Sequence, residues 1–200
     1  YYIGGAAGLT ESAPAAASTQ SFTVNTRVSC PEAGAGATVQ PCHVAGEGLS
    51  FAGAALAADT EVTGDPVVEL RVNVDRADAD LFAYLEDVAP DGRITIVTEG
   101  RQRISLRKLA EAPYELPGIP WHRSYTEDAE PVQPGQNVSL RFAMMPASYV
   151  FKAGHRLQIT VTGADHRQRD VAASAQGARI TLSADQAGGS HTDLPIIRGS

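Results

Sequence analysis

Apolar and polar residues alternate with a period of two along many short segments of this chain. The segment PVVELRVNV shows the pattern most clearly, because its alternate positions are apolar: Val68, Leu70, Val72 and Val74. The positions between them are polar: Glu69, Arg71 and Asn73. Successive side chains of an extended strand point to opposite faces, so this alternation predicts a half-buried β-strand.

The same alternation recurs in later segments. ADLFAYLEDV and RITIV flank APDGR, whose Pro90, Asp91 and Gly92 favour a turn, so a β-hairpin is predicted. Four further segments also place alternate residues on one inward face. These residues are Gln102, Ile104 and Leu106 in GRQRISLR, and Val138, Leu140, Phe142 and Met144 in NVSLRFAM. They are His155, Leu157, Ile159 and Val161 in HRLQITV, and Ile180 and Leu182 in ARITLSA. No comparable stretch sustains a 3.6-residue apolar period. The pattern predicts an all-β chain, an antiparallel sandwich or barrel.

Two regions differ in composition. Residues 1–48 are mostly Gly, Ala, Ser, Thr and Pro, with one strand-like run at Ser21 to Thr26, and we interpret them as a connecting arm. Residues 49–200 carry the alternating segments and are predicted to form the sandwich. The chain starts with Tyr1 rather than Met, so it is either processed or cut from a longer polypeptide, and we expect the latter.

Composition and charge exclude some partners. The 200 residues are 43% hydrophobic with a net charge of -7, which argues against a surface for nucleic acid or an anionic membrane. No apolar run approaches the roughly 20 residues that span a bilayer, so we expect a soluble chain without a membrane partner. Cys30 and Cys42 could form a disulfide, which would indicate an oxidising compartment. Two separate thiols in a reducing cytosol remain the alternative, so localisation stays open between cytoplasmic and secreted.

Aromatic and arginine side chains provide the candidate binding residues. Phe82 and Tyr84 occupy the polar face of LFAYLE, so we expect this strand to be covered on both sides, by the arm or by a partner domain. Arg101, Arg103 and Arg107 share one face of the next strand, and Arg141 has a similar outward position on another strand. These arginines are either a clamp for carboxylates of a neighbouring domain or substrate, or solvated residues.

A Pro-rich loop, LPGIPWHRSYTED, contains two further aromatic candidates. Trp121 and Tyr125 could form a platform for a sugar ring. The more common use of such residues is to anchor a long loop on the sandwich.

No segment has the pattern of a catalytic or metal site. Ser190, His191 and Asp193 are close in sequence, but neighbouring residues of an extended segment point to opposite faces, and no G-x-S-x-G elbow is present. His155 is interpreted as a hydrogen-bonded residue at the rim of the core. Asp75, Asp78 and Asp80 could bind calcium, but backbone-capping aspartates are the preferred interpretation. We therefore predict no catalytic residue, metal or cofactor.

The ordered series of motifs resembles a known family. The run LSFAGAALAADTEVTGDPVVELRVNVDRADADLFAYLEDVAPDGR, then GRQRISLR, VQPGQNVSLRFAMMPASYVFKAGHRLQITVTGAD and SHTDLPII, is similar to the carboxy-terminal domain of the X-Pro dipeptidyl-peptidase and cocaine-esterase (CocE/NonD) family of serine hydrolases. The cysteine-containing segment RVSCPEAGAGATVQPCHVAGEG and the run TGADHRQRD depart from the family pattern.

The resemblance implies a jelly-roll β-sandwich of the galactose-binding-like type. It also implies that the sandwich is a non-catalytic accessory domain, which packs on an α/β-hydrolase catalytic domain of the same parent chain, helps shape its substrate entrance and contributes to homo-oligomer contacts. None of the family's catalytic triad positions maps onto these residues. An interface through Phe82, Tyr84, Arg101 and Arg103 is then expected. A carbohydrate-binding jelly-roll module, with Trp121 and Tyr125 as its platform, is the alternative function.

Overall fold

The computed structural model describes residues 1–5, 8–27, 47–165, 175–185 and 189–197. These residues form fourteen strands and two short 3-10 helices. The strands are β1 (Tyr2–Ile3), β2 (Leu9–Thr10), β3 (Ser18–Thr23), β4 (Gly48–Ala52), β5 (Thr60–Gly64), β6 (Val67–Val74), β7 (Asp80–Val88), β8 (Ile94–Arg103), β9 (Asn137–Ala143), β10 (Ala147–Phe151), β11 (Arg156–Thr162), β12 (Arg179–Ala184), β13 (His191–Asp193) and β14 (Ile196–Ile197). The 3-10 helices are Ile104–Leu106 and Thr126–Asp128.

Three antiparallel sheets organise these strands. The largest has seven strands, in the order β2-β1-β13-β6-β12-β3 with β9 on the other edge of β6. A four-stranded sheet has the order β4-β11-β7-β8, and a three-stranded sheet has the order β10-β5-β14. Buried apolar residues of all three sheets form one core cluster. The predicted all-β class is confirmed, and the jelly-roll and galactose-binding-like assignments stay predictions.

The predicted inward faces of β6, β9 and β12 are confirmed. The four apolar residues Val68, Leu70, Val72 and Val74 of β6 are at most 1% exposed, whereas the central Arg71 between them is exposed. The inward residues of β9 and β12 are also buried: Val138, Leu140, Phe142, Ile180 and Leu182. Burial of this apolar surface provides most of the free energy that stabilises the sandwich.

The predicted hairpin also forms, between β7 and β8. The Ala89 amide donates to the Arg93 carbonyl over 2.9 Å, and Gly92 has a φ of 86°, a conformation that glycine adopts without strain. Further along β8, a Cβ on Gly100 would lie 2.6 Å from the Ala143 carbonyl oxygen, so only glycine fits where β8 passes β9. The hairpin is therefore fixed at its turn and along its length.

Two strand predictions need correction. GRQRISLR does not continue as a strand, because β8 ends at Arg103 and a 3-10 helix follows. Ser105, predicted to face outward, is buried, since its amide and hydroxyl both donate to Asp78, over 2.9 and 2.7 Å. In β11 the polar positions are buried together with the apolar ones: Gln158, Thr160 and Thr162.

The amino-terminal segment contributes to the large sheet. The strand predicted at Ser21 to Thr26 is observed at Ser18–Thr23, where it pairs with β12. Ile3, Leu9 and Phe22 belong to the core cluster. The division into an arm at 1–48 and a sandwich at 49–200 stays a prediction, but the described part of the arm shares the core of the sandwich.

Candidate functional site

The outer face of the four-stranded sheet, which points away from the core cluster, contains Phe82 and Tyr84. Only 3% of Phe82 and 1% of Tyr84 is exposed. The guanidinium carbon of Arg101 lies 5.4 Å from the centre of the Phe82 ring, and the Tyr84 hydroxyl donates to Asp165 over 2.6 Å. Burial and this carboxylate raise the pKa of Tyr84 far above its usual value. Both rings are thus covered within this chain, and their role in a domain interface stays a prediction.

Arg101 and Arg103 form a clamp on Asp80. The Asp80 side chain is fully buried, and each arginine donates two hydrogen bonds of 3.0–3.2 Å to its carboxylate. Asp80 lies directly opposite Arg103 in the β7–β8 register, which explains the geometry. The carboxylate that these arginines hold therefore belongs to their own chain, and a clamp for a neighbouring domain or a substrate stays a prediction.

A buried carboxylate occupies the middle of the same face. Glu86 is fully buried, and its Oε2 accepts hydrogen bonds from Gln158 over 2.7 Å and from Thr160 over 2.6 Å. Thr160 also lies 2.8 Å from the Ser50 hydroxyl. Because buried carboxylates are costly unless hydrogen-bonded, this network fixes β4, β11 and β7 relative to each other. Sequence reasoning missed it, since alternation does not show which polar positions are covered.

A second region is the loop 107–136, which joins the first 3-10 helix to β9. His122 holds its centre, with Nε2 2.9 Å from the Arg141 carbonyl oxygen and Nδ1 3.2 Å from the Lys108 carbonyl oxygen. Arg123 forms a bidentate pair with Asp128, and the guanidinium holds the pKa of that carboxyl below its usual value. The loop is therefore anchored on the sandwich along its length.

The aromatic residues of this loop remain accessible. Tyr125 is 56% exposed, and the guanidinium carbon of Arg123 lies 5.3 Å from the centre of its ring. Trp121 is half-buried and meets Tyr114 edge to face, with ring centres 5.4 Å apart. The predicted ligand platform of Trp121 and Tyr125 stays a prediction. Tyr114 and Leu109 on the same loop, which no sequence pattern indicated, are 55% and 49% exposed.

The residues Ser190, His191 and Asp193 do not converge. The Ser190 hydroxyl is buried, accepts a hydrogen bond from the Arg71 amide and donates to the Ser183 carbonyl oxygen. His191 lies on β13 with Nδ1 3.1 Å from the Gly189 carbonyl oxygen. The Ser190 hydroxyl is thus engaged with backbone groups of the sheet.

His155 is hydrogen-bonded at the rim of the core, in agreement with its interpretation from the sequence, although its partners were not predicted. Its Nδ1 lies 2.8 Å from Asp87, whose other carboxylate oxygen accepts a 2.8 Å hydrogen bond from the Tyr149 hydroxyl. Burial and this carboxylate raise the pKa of Tyr149 to about 12. Tyr149 belongs to the three-stranded sheet and Asp87 to the four-stranded sheet, so the cluster links two sheets at the rim of the core.

The remaining candidates are aspartates, cysteines and metal ligands. Asp75 and Asp78 accept hydrogen bonds from backbone amides, those of Arg179 and Ala79. No group of three or more His, Cys, Asp or Glu residues within the described ranges could hold a metal ion. No helix in the part of the chain that the structure describes is long and apolar enough to cross a membrane. Cys30 and Cys42 lie outside the described residues.

Comparison with known families decides the affiliation of the chain. The profile of the X-Pro dipeptidyl-peptidase C-terminal non-catalytic domain matches residues 7–187. The chain belongs to this family. The match includes most of the amino-terminal segment, which agrees with the place of Phe22 and β3 in the shared core.

Individual relatives of this C-terminal domain are longer proteins. A Mycobacterium bovis protein named "Putative serine esterase" is 36% identical over 152 residues, which cover 75% of this chain and 24% of the relative. Cocaine esterase from a Rhodococcus species is 26% identical over 131 residues, covering 66% of this chain and 20% of the relative. The chain thus spans about a quarter or less of these curated relatives.

A solved structure shows the same fold. The crystal structure of a CocE/NonD family hydrolase from Staphylococcus aureus superimposes with a TM-score of 0.75 at 17% identity, covering 98% of this chain and 36% of that one. The sandwich of this C-terminal domain therefore occurs within a hydrolase chain almost three times as long.

Proposed function

We propose that this chain is the accessory domain of a serine hydrolase, packing on an α/β-hydrolase catalytic domain of the same parent chain and helping to shape its substrate entrance. The parent would act on esters or amides, among them X-Pro dipeptides. The observation that carries the proposal is the family match over residues 7–187, which names the domain non-catalytic. The engagement of Ser190 with backbone groups supports it, since a nucleophilic serine needs a neighbouring base.

The polar clusters fit a supporting role. The carboxylates of Asp80, Glu86 and Asp87 are buried and hydrogen-bonded to side chains of this chain. Such networks fix strands relative to each other, and a rigid scaffold holds neighbouring loops in place at a substrate entrance. Contacts between copies of the parent are a further part of the proposal, as the family resemblance implies.

Labelling with a fluorophosphonate tests the proposal. In the full-length parent, we expect the reagent to modify one serine outside these 200 residues and to abolish ester hydrolysis. The isolated chain should remain unlabelled and inert towards the same ester. Modification of Ser190, or ester turnover by the isolated chain, would contradict the proposal.

A further inference from the structure

We propose that the loop 107–136 carries the surface by which this domain docks on the hydrolase domain of its parent chain. The docking surface consists of Leu109, Tyr114 and Tyr125 together with a rim of carboxylates at Glu111, Glu115 and Glu127. This inference rests on the proposed function and deepens it, because it names the contact surface and the chemistry of the surface that it meets.

Exposed apolar side chains concentrate on this loop. Six large hydrophobic residues are exposed within the described ranges, and the loop supplies three of them, Leu109, Tyr114 and Tyr125, at 49–56%. Of the other three, Val150 and Ile197 lie on either side of Glu61 in the three-stranded sheet, and Met145 lies in the β9–β10 connection. A group of exposed apolar side chains rimmed by polar residues is typical of a protein contact.

The loop is held in one arrangement before any partner binds. His122 ties its centre to the Arg141 carbonyl oxygen, and the Ala110 amide donates to the Trp121 carbonyl over 2.9 Å. Val132 anchors its end in the core cluster at 1% exposure. Long ordered loops are commonly functional, and a preorganised loop loses little conformational entropy when it binds.

The ring geometry favours side-chain packing over stacking of a flat sugar ring. The edge-to-face contact with Tyr114 occupies part of Trp121, and the Arg123 guanidinium lies over one face of Tyr125. A sugar platform needs free ring faces, whereas a protein contact can use ring edges and a neighbouring leucine. A shallow concave surface of about 530 Å³ is lined by residues 111–116, which include Tyr114.

Charge defines the chemistry of the partner surface. Glu111, Glu115 and Glu127 are exposed, and none of them forms an ion pair within the described part of the chain. A matching face would present apolar side chains surrounded by lysine or arginine. The hydrolase domain is the occupant, because this chain covers only 36% of the similar S. aureus hydrolase and the rest of such a chain must contact its carboxy-terminal sandwich. Interfaces between domains of one chain have this mixed apolar and polar character.

Two matched triple variants of the full-length parent test the proposal. Leu109→Ser/Tyr114→Ser/Tyr125→Ser removes the apolar part of the docking surface. Met145→Ser/Val150→Ser/Ile197→Ser removes three apolar residues of similar exposure, 40–59%, from other surfaces. Limited proteolysis between the two domains should become about tenfold faster in the loop variant and stay unchanged in the control, because interface positions of this kind dominate binding. Added salt should speed proteolysis of both variants, because both keep the carboxylate rim that salt screens.

Each outcome of the test has a defined consequence. Equal proteolysis of both variants in a parent that hydrolyses esters would overturn the docking surface and leave the proposed function intact. A parent without ester hydrolysis and without a reactive serine would overturn both. Binding of the isolated chain to a glycan array that is lost in Trp121→Ala, with unchanged proteolysis in the loop variant, would replace docking by carbohydrate recognition.

Discussion

The outer face of the four-stranded sheet and the loop 107–136 both carry aromatic and arginine side chains, but they use them differently. On the sheet, Phe82 and Tyr84 are buried, and both arginines of the clamp are engaged by Asp80. On the loop, Tyr114 and Tyr125 are more than half exposed, although Arg123 is paired with Asp128. An aromatic or arginine residue therefore indicates an interface only when other residues of its own chain do not bury it or pair with it.

The difference follows from where each region lies. Strand β7 has neighbours on both edges, β8 and β11, so its outward residues find partners from adjacent strands at fixed register. The loop joins the first 3-10 helix to β9 and contacts the sandwich at separate points, among them the His122 side chain and the backbone amide of Val132. The sheet face therefore contributes to stability, and the loop is available for contacts with another domain.

Asp80→Ala should have the largest effect on stability. Removing the carboxylate leaves Arg101 and Arg103, whose side chains are 26% and 29% exposed, beside an uncharged buried cavity. We expect the free energy of unfolding to fall by about 2–3 kcal/mol, less than for a fully buried pair because solvent partly screens the arginines. Urea unfolding measures this loss of stability. Asp193→Ala is the control, because the Asp193 side chain is 63% exposed, and we expect it to lose less than about 0.5 kcal/mol. Equal losses would show that the sheet face is no more covered than the surface.

Tyr84→Phe should have the next largest effect. The change removes the 2.6 Å hydrogen bond to Asp165 and keeps the ring, so a buried carboxylate loses a donor. We expect a loss of about 1–2 kcal/mol in the free energy of unfolding. Tyr114→Phe on the loop is the matched control and should be neutral. A neutral Tyr84→Phe would indicate that the outer face is solvated.

Acid should loosen the loop 107–136. The Arg123 guanidinium holds the pKa of Asp128 below its ordinary value of about 3.8. The stabilisation of the loop is therefore complete above this value and is lost as the pH falls through the lowered pKa. Trp121 is the only tryptophan of the chain, so its fluorescence reports on the loop. Asp128→Asn should remove the acid-induced change, and an unaltered change in this variant would rule out the pair as its cause.

The loop triple variant should have the smallest effect on the isolated chain. Leu109, Tyr114 and Tyr125 contribute little to the core because about half of each side chain is exposed. We expect Leu109→Ser/Tyr114→Ser/Tyr125→Ser to change the free energy of unfolding by less than about 0.5 kcal/mol per site in urea. A larger loss would mean that these side chains stabilise the sandwich itself, which would remove the contrast with the sheet face.

Sequence reasoning predicted the inward faces well and the covered polar groups poorly. Alternation predicted both faces of β6, because its outward polar residues are partly or fully exposed and its inward apolar residues are buried. It failed for β11, whose threonines and Gln158 are buried by contacts such as Thr160 with Glu86, separated by 74 residues. It also failed at Ser105, which a 3-10 turn rotates towards Asp78. Period-two alternation identifies an apolar face but carries no information on what covers the opposite one.

The candidate site was predictable only in part. The clamp of Arg101 and Arg103 was visible as a shared strand face, but its partner Asp80 was not, because that pairing depends on the β7–β8 register. Trp121 and Tyr125 were visible as aromatic residues, whereas exposure of Leu109 and Tyr114 depends on how His122 anchors the loop. These features arise from tertiary contacts, which a single sequence does not encode in any local pattern.

Hydrogen–deuterium exchange tests the central contrast most directly. The full-length parent and the isolated 200-residue chain would be compared peptide by peptide across the loop 107–136 and β7. We expect the loop to become protected in the parent while β7 exchanges slowly and equally in both, since its face is already covered. New protection on β7 together with an unprotected loop would contradict the account.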